Sequence, residues 1–295
     1  MEFTGERYIP SQQGKIKYEH LHRYGMLRSL VQGKTVLDIA CGEGYGSALL
    51  AIHAKSVLGI DISAATIAHA QQTYRDRPNI HFLVGDCAAI PIASESKEMV
   101  VSFETLEHTA EQDEMLREIK RILIPAGVFV VSTPNRFIYS GRSNYVNPFH
   151  VKELDYAELA SLLKKQFRFV QFFGQKIAAA SFVFPLEDAQ RTNLTTYVSR
   201  NSQIQANSYC LDTPAYFVAL CSDAEEVVRQ PLDSVYIDPS DDLFTPFYSQ
   251  IQSLQTELAQ SQQELSRTKL KLKTMQQSKF WKLRNQYTKL KMLFR

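Results

Sequence analysis

Residues 35–46, Thr-Val-Leu-Asp-Ile-Ala-Cys-Gly-Glu-Gly-Tyr-Gly, constrain this chain more than any other stretch. The apolar, β-branched run reads as a buried parallel strand, and it passes through Asp38 straight into Gly42, Gly44 and Gly46. Glycines this close together let the backbone turn sharply and approach a ligand without Cβ interference. Ser47 to His53 then read as a helix whose first N–H groups face the loop, so a nucleotide-like guest is implied. The spacing is G-x-G-x-G with an acid four residues ahead, not G-x-G-x-x-G, which argues against a nicotinamide cofactor.

Downstream, strand and helix patterns alternate. Ser56–Asp61 is a second apolar strand closed by an acid, Ala64 to Tyr74 reads as helix, and Ile80–Cys87 is a third strand ending in Gly85, Asp86 and Cys87. Met99–Glu104 follows, then an amphipathic helix through Ile119, Ile122 and Leu123, then Gly127–Asn135. This βα alternation predicts a doubly wound α/β fold with a parallel sheet. Three successive strands end in Asp38, Asp61 and Asp86, which are expected to converge at the carboxyl edge, with Asp61 placed to accept hydrogen bonds from ribose hydroxyls.

The glycine stretch resembles motif I of the class I S-adenosylmethionine (SAM) dependent methyltransferases, with Ala40 where many members have another glycine, and the resemblance runs closely over residues 34–135. It implies a Rossmann-like, seven-stranded, mostly parallel sheet over residues 34–223, with Phe167–Gly174 and Ala215–Cys221 forming an antiparallel end. It also implies SAM as cofactor, held by Asp38, Gly42, Gly44, Asp61, Ile62, Asp86, Cys87 through its backbone, and Glu104. Residues 1–33 would cover the cofactor. A helix from about Glu19 to Val31 would put His20, Arg23 and Tyr24 on one side, with Arg23 meeting the methionine carboxylate. Residues 136–150 and the long insert 176–214 are assigned to the acceptor, because long inserts are where specificity tends to sit.

Methyl transfer from a sulfonium needs donor and acceptor held in line, and a hydroxyl acceptor must lose a proton. The candidate catalytic residues are Glu104, Glu107, His108 and His150, the last opening a helix that runs to about Lys165. The pattern E-x-x-E-H with a later His looks like the metal-binding arrangement of the small-RNA 2′-O-methyltransferases and of the ubiquinone-synthesis O-methyltransferases. That resemblance implies a divalent metal ion on Glu104, Glu107, His108 and His150. The other reading is that Glu107 and His108 start a helix and line the pocket without a metal.

The chain has 295 residues and a formal net charge of +2, but residues 249–295 hold ten Lys or Arg against Glu257 and Glu264, so the body is acidic and the tail basic. Cys41, Cys87, Cys210 and Cys221 show no C-x-x-C pairing, and no signal peptide or membrane span is visible, so a reduced cytoplasmic setting is expected. Residues 224–248 read as a linker. Residues 249–278 then form a coiled coil, with Ile251, Leu258, Leu265 and Leu272 at a and Leu254, Ser261, Thr268 and Met275 at d, joining two copies or a partner protein. The aromatic and basic stretch 279–295 suits peripheral contact with an anionic inner membrane face, and nucleic acid is disfavoured because no recognition fold accompanies it. Such tails, with the opening Phe3–Tyr8, look like those of enzymes of bacterial surface-polysaccharide pathways, which implies methylation of a sugar hydroxyl in a glycan or lipid-linked glycan. The alternatives are a quinone-like phenol or RNA terminus as acceptor, or an inactive scaffold assembling partners through its coiled coil.

Overall fold

The computed structural model describes residues 14–141, 147–178, 197–200, 203–206, 211, 213–237 and 243–293. It comprises two units, Met1–Ile237 and Asp238–Arg295. In the first, β1 (Thr35–Ile39), β2 (Ser56–Asp61), β3 (Ile80–Val84), β4 (Lys97–Phe103), β5 (Leu123–Pro134), β6 (Phe169–Gln175) and β9 (Tyr216–Ser222) form a seven-stranded sheet. Its order is β3-β2-β1-β4-β5-β9-β6, parallel except for β9, which pairs antiparallel to both neighbours, in keeping with the expected fold. A separate hairpin, β7 (Tyr197–Arg200) and β8 (Gln203–Ala206), lies between β6 and β9 in sequence. The rest of the 176–214 insert lies largely outside the described residues, as do 1–13 and 142–146.

Both sheet faces are covered, which is why the central strands read as unbroken apolar runs rather than alternating ones. On one face Val36, Val57 and Val101 pack beneath α1 (Lys15–Gly25), α2 (Tyr45–Leu50) and α3 (Ala64–Thr73) through Tyr24, Ala48 and Ile67. On the other, Leu37, Val100 and Phe129 pack beneath α4 (Gln112–Ile122) and α6 (Tyr156–Lys164) through Met115, Ile119 and Leu163. Each such side chain buried in full stabilises the fold by roughly 1.5–3 kcal/mol. A 3-10 turn, Leu106–His108, follows β4, and short α5 (Arg136–Tyr139) follows β5.

Three local expectations are corrected. Helix α1 begins at Lys15 and ends at Gly25 rather than spanning Glu19 to Val31, and residues 26–33 form turns. Helix α6 begins at Tyr156, not His150, because Asp155 caps it and Glu158 reaches back to the Asp155 N–H, a complete capping box. Residues 224–237 are not linker: α7 (Glu225–Val228) contributes Val228 to the core, Leu232 is buried, and Ser234 hydrogen-bonds His22 at 2.9 Å. The boundary therefore falls at 237/238. The second unit consists of α8 (Thr245–Gln277) and α9 (Lys279–Leu293), broken at Ser278, whose ψ of 147° is extended.

Candidate active site

The loop after β1 is built from left-handed residues: Ala40 has φ 53°, Gly42 φ 54° and Gly44 φ 81°. Ala40, standing where the resembled motif often has glycine, bears the Cβ strain of that region, about 1–2 kcal/mol. Gly46 is required by packing, since a Cβ there would lie 2.0 Å from Tyr24 Cζ. Tyr24 in turn donates its hydroxyl to Asp38 Oδ1 at 3.2 Å, and Ser47 donates to Asp38 Oδ2 at 2.7 Å. The Asp38 carboxylate thus clamps the loop from below, fully buried, and burial pushes its pKa up to about 7 against the two donors.

A cavity of about 310 Å³ opens beside this loop at the carboxyl edge of the sheet, lined by Gly42, Asp61, Ile62, Asp86, Cys87, Glu104 and His108 among others. Asp61, at the tip of β2, accepts from the Gly42 N–H at 3.1 Å and the Ser63 N–H at 2.9 Å, so the carboxylate is held rigidly at the cavity wall. Asp86, exposed at the rim, accepts from the Ala88 N–H at 2.9 Å. Ile62, next after Asp61 and also on the lining, is 69% exposed, and burial of the Cys87 thiol raises its pKa to about 11. An apolar side chain beside one fixed carboxylate and a second carboxylate at the rim give the cavity a lining that suits a polar guest with an apolar face.

Three expected cofactor residues stand elsewhere. Asp38 does not line the cavity. The sheet register sets it beside Gly59, two residues short of Asp61, so it lies inside its strand rather than at the edge. Arg23 does not line it either. It is 1% exposed, donates from Nε to Gln175 Oε1 at 2.7 Å, sits 4.4 Å over the Tyr216 ring and lies 3.4 Å from Glu104 Oε1. Its Nη2 has no hydrogen-bond partner among the described residues. Gly44 also lies off the lining, its role being backbone turning. Sequence reasoning missed Tyr45 and Thr105, which line the cavity, while His20 and Tyr24 come to it from α1. Burial, helped by Arg23, drops His20 to a pKa of about 3, so it presents a neutral imidazole.

Around Glu104 and His108, which line the cavity, stands a cluster of acids and imidazoles. Glu104 has φ 53°, a strained conformation for a non-glycine residue that costs on the order of 1–3 kcal/mol, and its side chain is held by Ser132 Oγ at 2.7 Å and by Arg23. Glu107 is 1% exposed; Thr133 donates to its Oε2 at 2.9 Å, and Oε1 has no hydrogen-bond partner among the described residues. Burial, reinforced by Glu104, lifts its pKa well above the carboxylate range. His150 Nδ1 lies 2.6 Å from Glu153 Oε1, whose other oxygen takes the Ser140 hydroxyl at 2.6 Å, and the Asn147 amide reaches His150 Nε2 at 2.9 Å. Glu153 is a further residue that sequence reasoning missed, although it precedes the Asp155 cap by only two positions.

Glu107, His108 and His150 each bring a ligand atom within 4.8 Å of the others, so they could hold a divalent ion. The unpartnered buried oxygen of Glu107 and the carboxylate behind His150 fit that role. Glu104 is not in this set, being turned to Arg23 and Ser132, so the expected four-ligand arrangement reduces to three.

Residues 37–131, which carry the glycine loop and the strands around the cavity, match the family model described as "Methyltransferase domain". Over 167 residues the chain is 40% identical to a "Probable S-adenosylmethionine-dependent methyltransferase" of Mycolicibacterium smegmatis, covering 56% of this chain and 64% of that one. Over 132 residues it is 31% identical to a "Ubiquinone biosynthesis O-methyltransferase" of Coxiella burnetii, covering 42% and 55%. The chain therefore spans less than two thirds of the length of either relative. A crystal structure from Pyrococcus horikoshii OT3 shares the fold at a TM-score of 0.51 and 18% identity, covering 75% of this chain and 95% of that one.

Proposed function

We propose that this chain is a SAM-dependent O-methyltransferase whose acceptor is a sugar hydroxyl of a glycan or lipid-linked glycan. The observation that carries the cofactor half is Asp61, locked by the Gly42 and Ser63 amides beside the exposed Ile62. What supports a sugar is the polar character of the acceptor edge, where Ser140, Asn147, His150 and Glu153 form one hydrogen-bonded set. Sites that hydrogen-bond a hydroxyl reject analogues lacking it, because their buried polar groups would be left unpaired.

The bound cofactor would supply an electrophilic methyl on sulfur. With Nδ1–H donated to Glu153, His150 presents the Nε2 lone pair, which takes the acceptor proton once the Asn147 amide swings aside. The acceptor oxygen then forms the new C–O bond as the S–CH3 bond breaks. Arg23 neutralises Glu104 so that two carboxylates are not left uncompensated beside the reaction. If a divalent ion binds, Glu107, His108 and His150 hold it, and it would lower the acceptor hydroxyl pKa. The second unit would place the enzyme at an anionic membrane face through α9, which exposes Phe280, Leu283 and Tyr287 among lysines and arginines. No described helix is long and apolar enough to cross a membrane.

A second reading, a phenol of the quinone type, is favoured by the Coxiella burnetii relative. One experiment separates them. Purified protein is titrated with SAM by calorimetry, then incubated with methyl-labelled SAM and cell extract fractionated into glycan, lipid-quinone and RNA pools. Heat that is lost in Asp61→Ala, with label in the glycan pool, supports the proposal. Label confined to the quinone or RNA pool overturns the acceptor, and no heat overturns the enzyme in favour of a scaffold.

A further inference from the structure

Helix α8 runs for 33 residues, about 50 Å, and its apolar side chains have no cover among the described residues. The heptad with Ile251, Leu258, Leu265 and Leu272 at a extends back one step, placing Phe244 at a and Phe247 at d. These residues, with Leu254 and Met275 at d, are between 45% and 59% exposed, while Ser261 and Thr268 are the polar members of the stripe. A helix this long with an apolar residue at every a position gains stability by burying that stripe against another helix.

The charges beside the stripe name the occupant. Positions g carry Glu257, Glu264 and Lys271, and positions e carry Gln255, Gln262, Lys269 and Gln276. In a parallel pair of identical helices, a g residue faces the e residue five positions further along the other strand. Glu264 then faces Lys269 of the second copy, twice by symmetry, while Glu257 and Lys271 face glutamines. Laid antiparallel over its full length, the same stripe would set Glu257 beside Glu264 of the other strand, a like-charge contact. We propose that α8 is the self-association element of this protein, pairing in parallel and in register with α8 of a second copy. The inference stands on α8 alone and is independent of the acceptor.

The test uses the full-length chain. Sedimentation at tens of micromolar should give twice the 33.6 kDa chain mass. Leu265→Cys, at an a position, should cross-link to a disulfide dimer under mild oxidation, whereas Gln263→Cys at the outer f position should not. Glu264→Lys should raise the dimer dissociation constant on the order of tenfold, and adding Lys269→Glu should restore it. A monomer at these concentrations overturns the second copy as occupant. A dimer in which the Leu265→Cys variant fails to cross-link, or in which the double reversal does not recover affinity, overturns the parallel register.

Discussion

His150 Nδ1 and Glu153 Oε1 stand 2.6 Å apart, and the Ser140 hydroxyl fixes the far oxygen of the same carboxylate. The imidazole is thereby held in one orientation with Nε2 facing away from its anchor. In Glu153→Gln the ring keeps a neutral partner of the same shape but loses the charge that favours Nδ1–H. Turnover should fall about 10- to 100-fold while the SAM dissociation constant, read by calorimetry, stays unchanged. A fall in SAM affinity of the same size would mean that Glu153 serves the fold instead.

Asp38 makes stability depend on pH in a particular direction. Its pKa rises from 3.8 to about 7 on folding because desolvation outweighs the Ser47 and Tyr24 hydrogen bonds. The folded chain therefore holds this proton more tightly than the unfolded chain, so stability declines as pH rises from about 4 to 7 and levels off above. Asp38→Asn removes the titration. Urea midpoints at pH 5 and pH 7.5 should differ less in the variant than in the parent, by on the order of a few kcal/mol once converted.

Gly46 is held small by one ring. In Gly46→Ala the new methyl would meet Tyr24 Cζ at 2.0 Å, and the displaced ring would lose its bond to Asp38. Thermal unfolding should report a loss of about 1–3 kcal/mol. Ala40→Gly should act the other way, relieving the strain at φ 53°, and leave the chain as stable as the parent or up to about 1 kcal/mol more so.

Metal binding by Glu107, His108 and His150 can be read without turnover. Manganese titrated into the protein and followed by electron paramagnetic resonance should lose its free-ion signal one for one, and Glu107→Gln should abolish the loss. Equal binding by parent and variant, or none by either, removes the ion from the mechanism.

The alternation of strands and helices, the seven-stranded sheet and the glycine loop at its carboxyl edge were legible because glycine spacing and apolar runs report local backbone needs directly. Asp38 was not, because an acid one residue from a strand end looks terminal until the neighbour's register shows Asp61 two residues further out. The α6 start was written in Asp155 and Glu158, a capping pair that His150 and its helix-like neighbours obscured. The Arg23 partners lie at 104, 175 and 216, and no local pattern joins residues that far apart. The core role of Val228 and Leu232 was hidden for a related reason, since proline-rich, aperiodic sequence reads as linker even when it straps a surface.

The reach of Arg23 also sets an order of events in biosynthesis. Its guanidinium is buried against Glu104, Gln175 and the Tyr216 ring, so α1 reaches these partners only after β9 has left the ribosome. Tyr216 lies about two hundred residues beyond Arg23 in sequence, so this burial is a closure of long range rather than a local one.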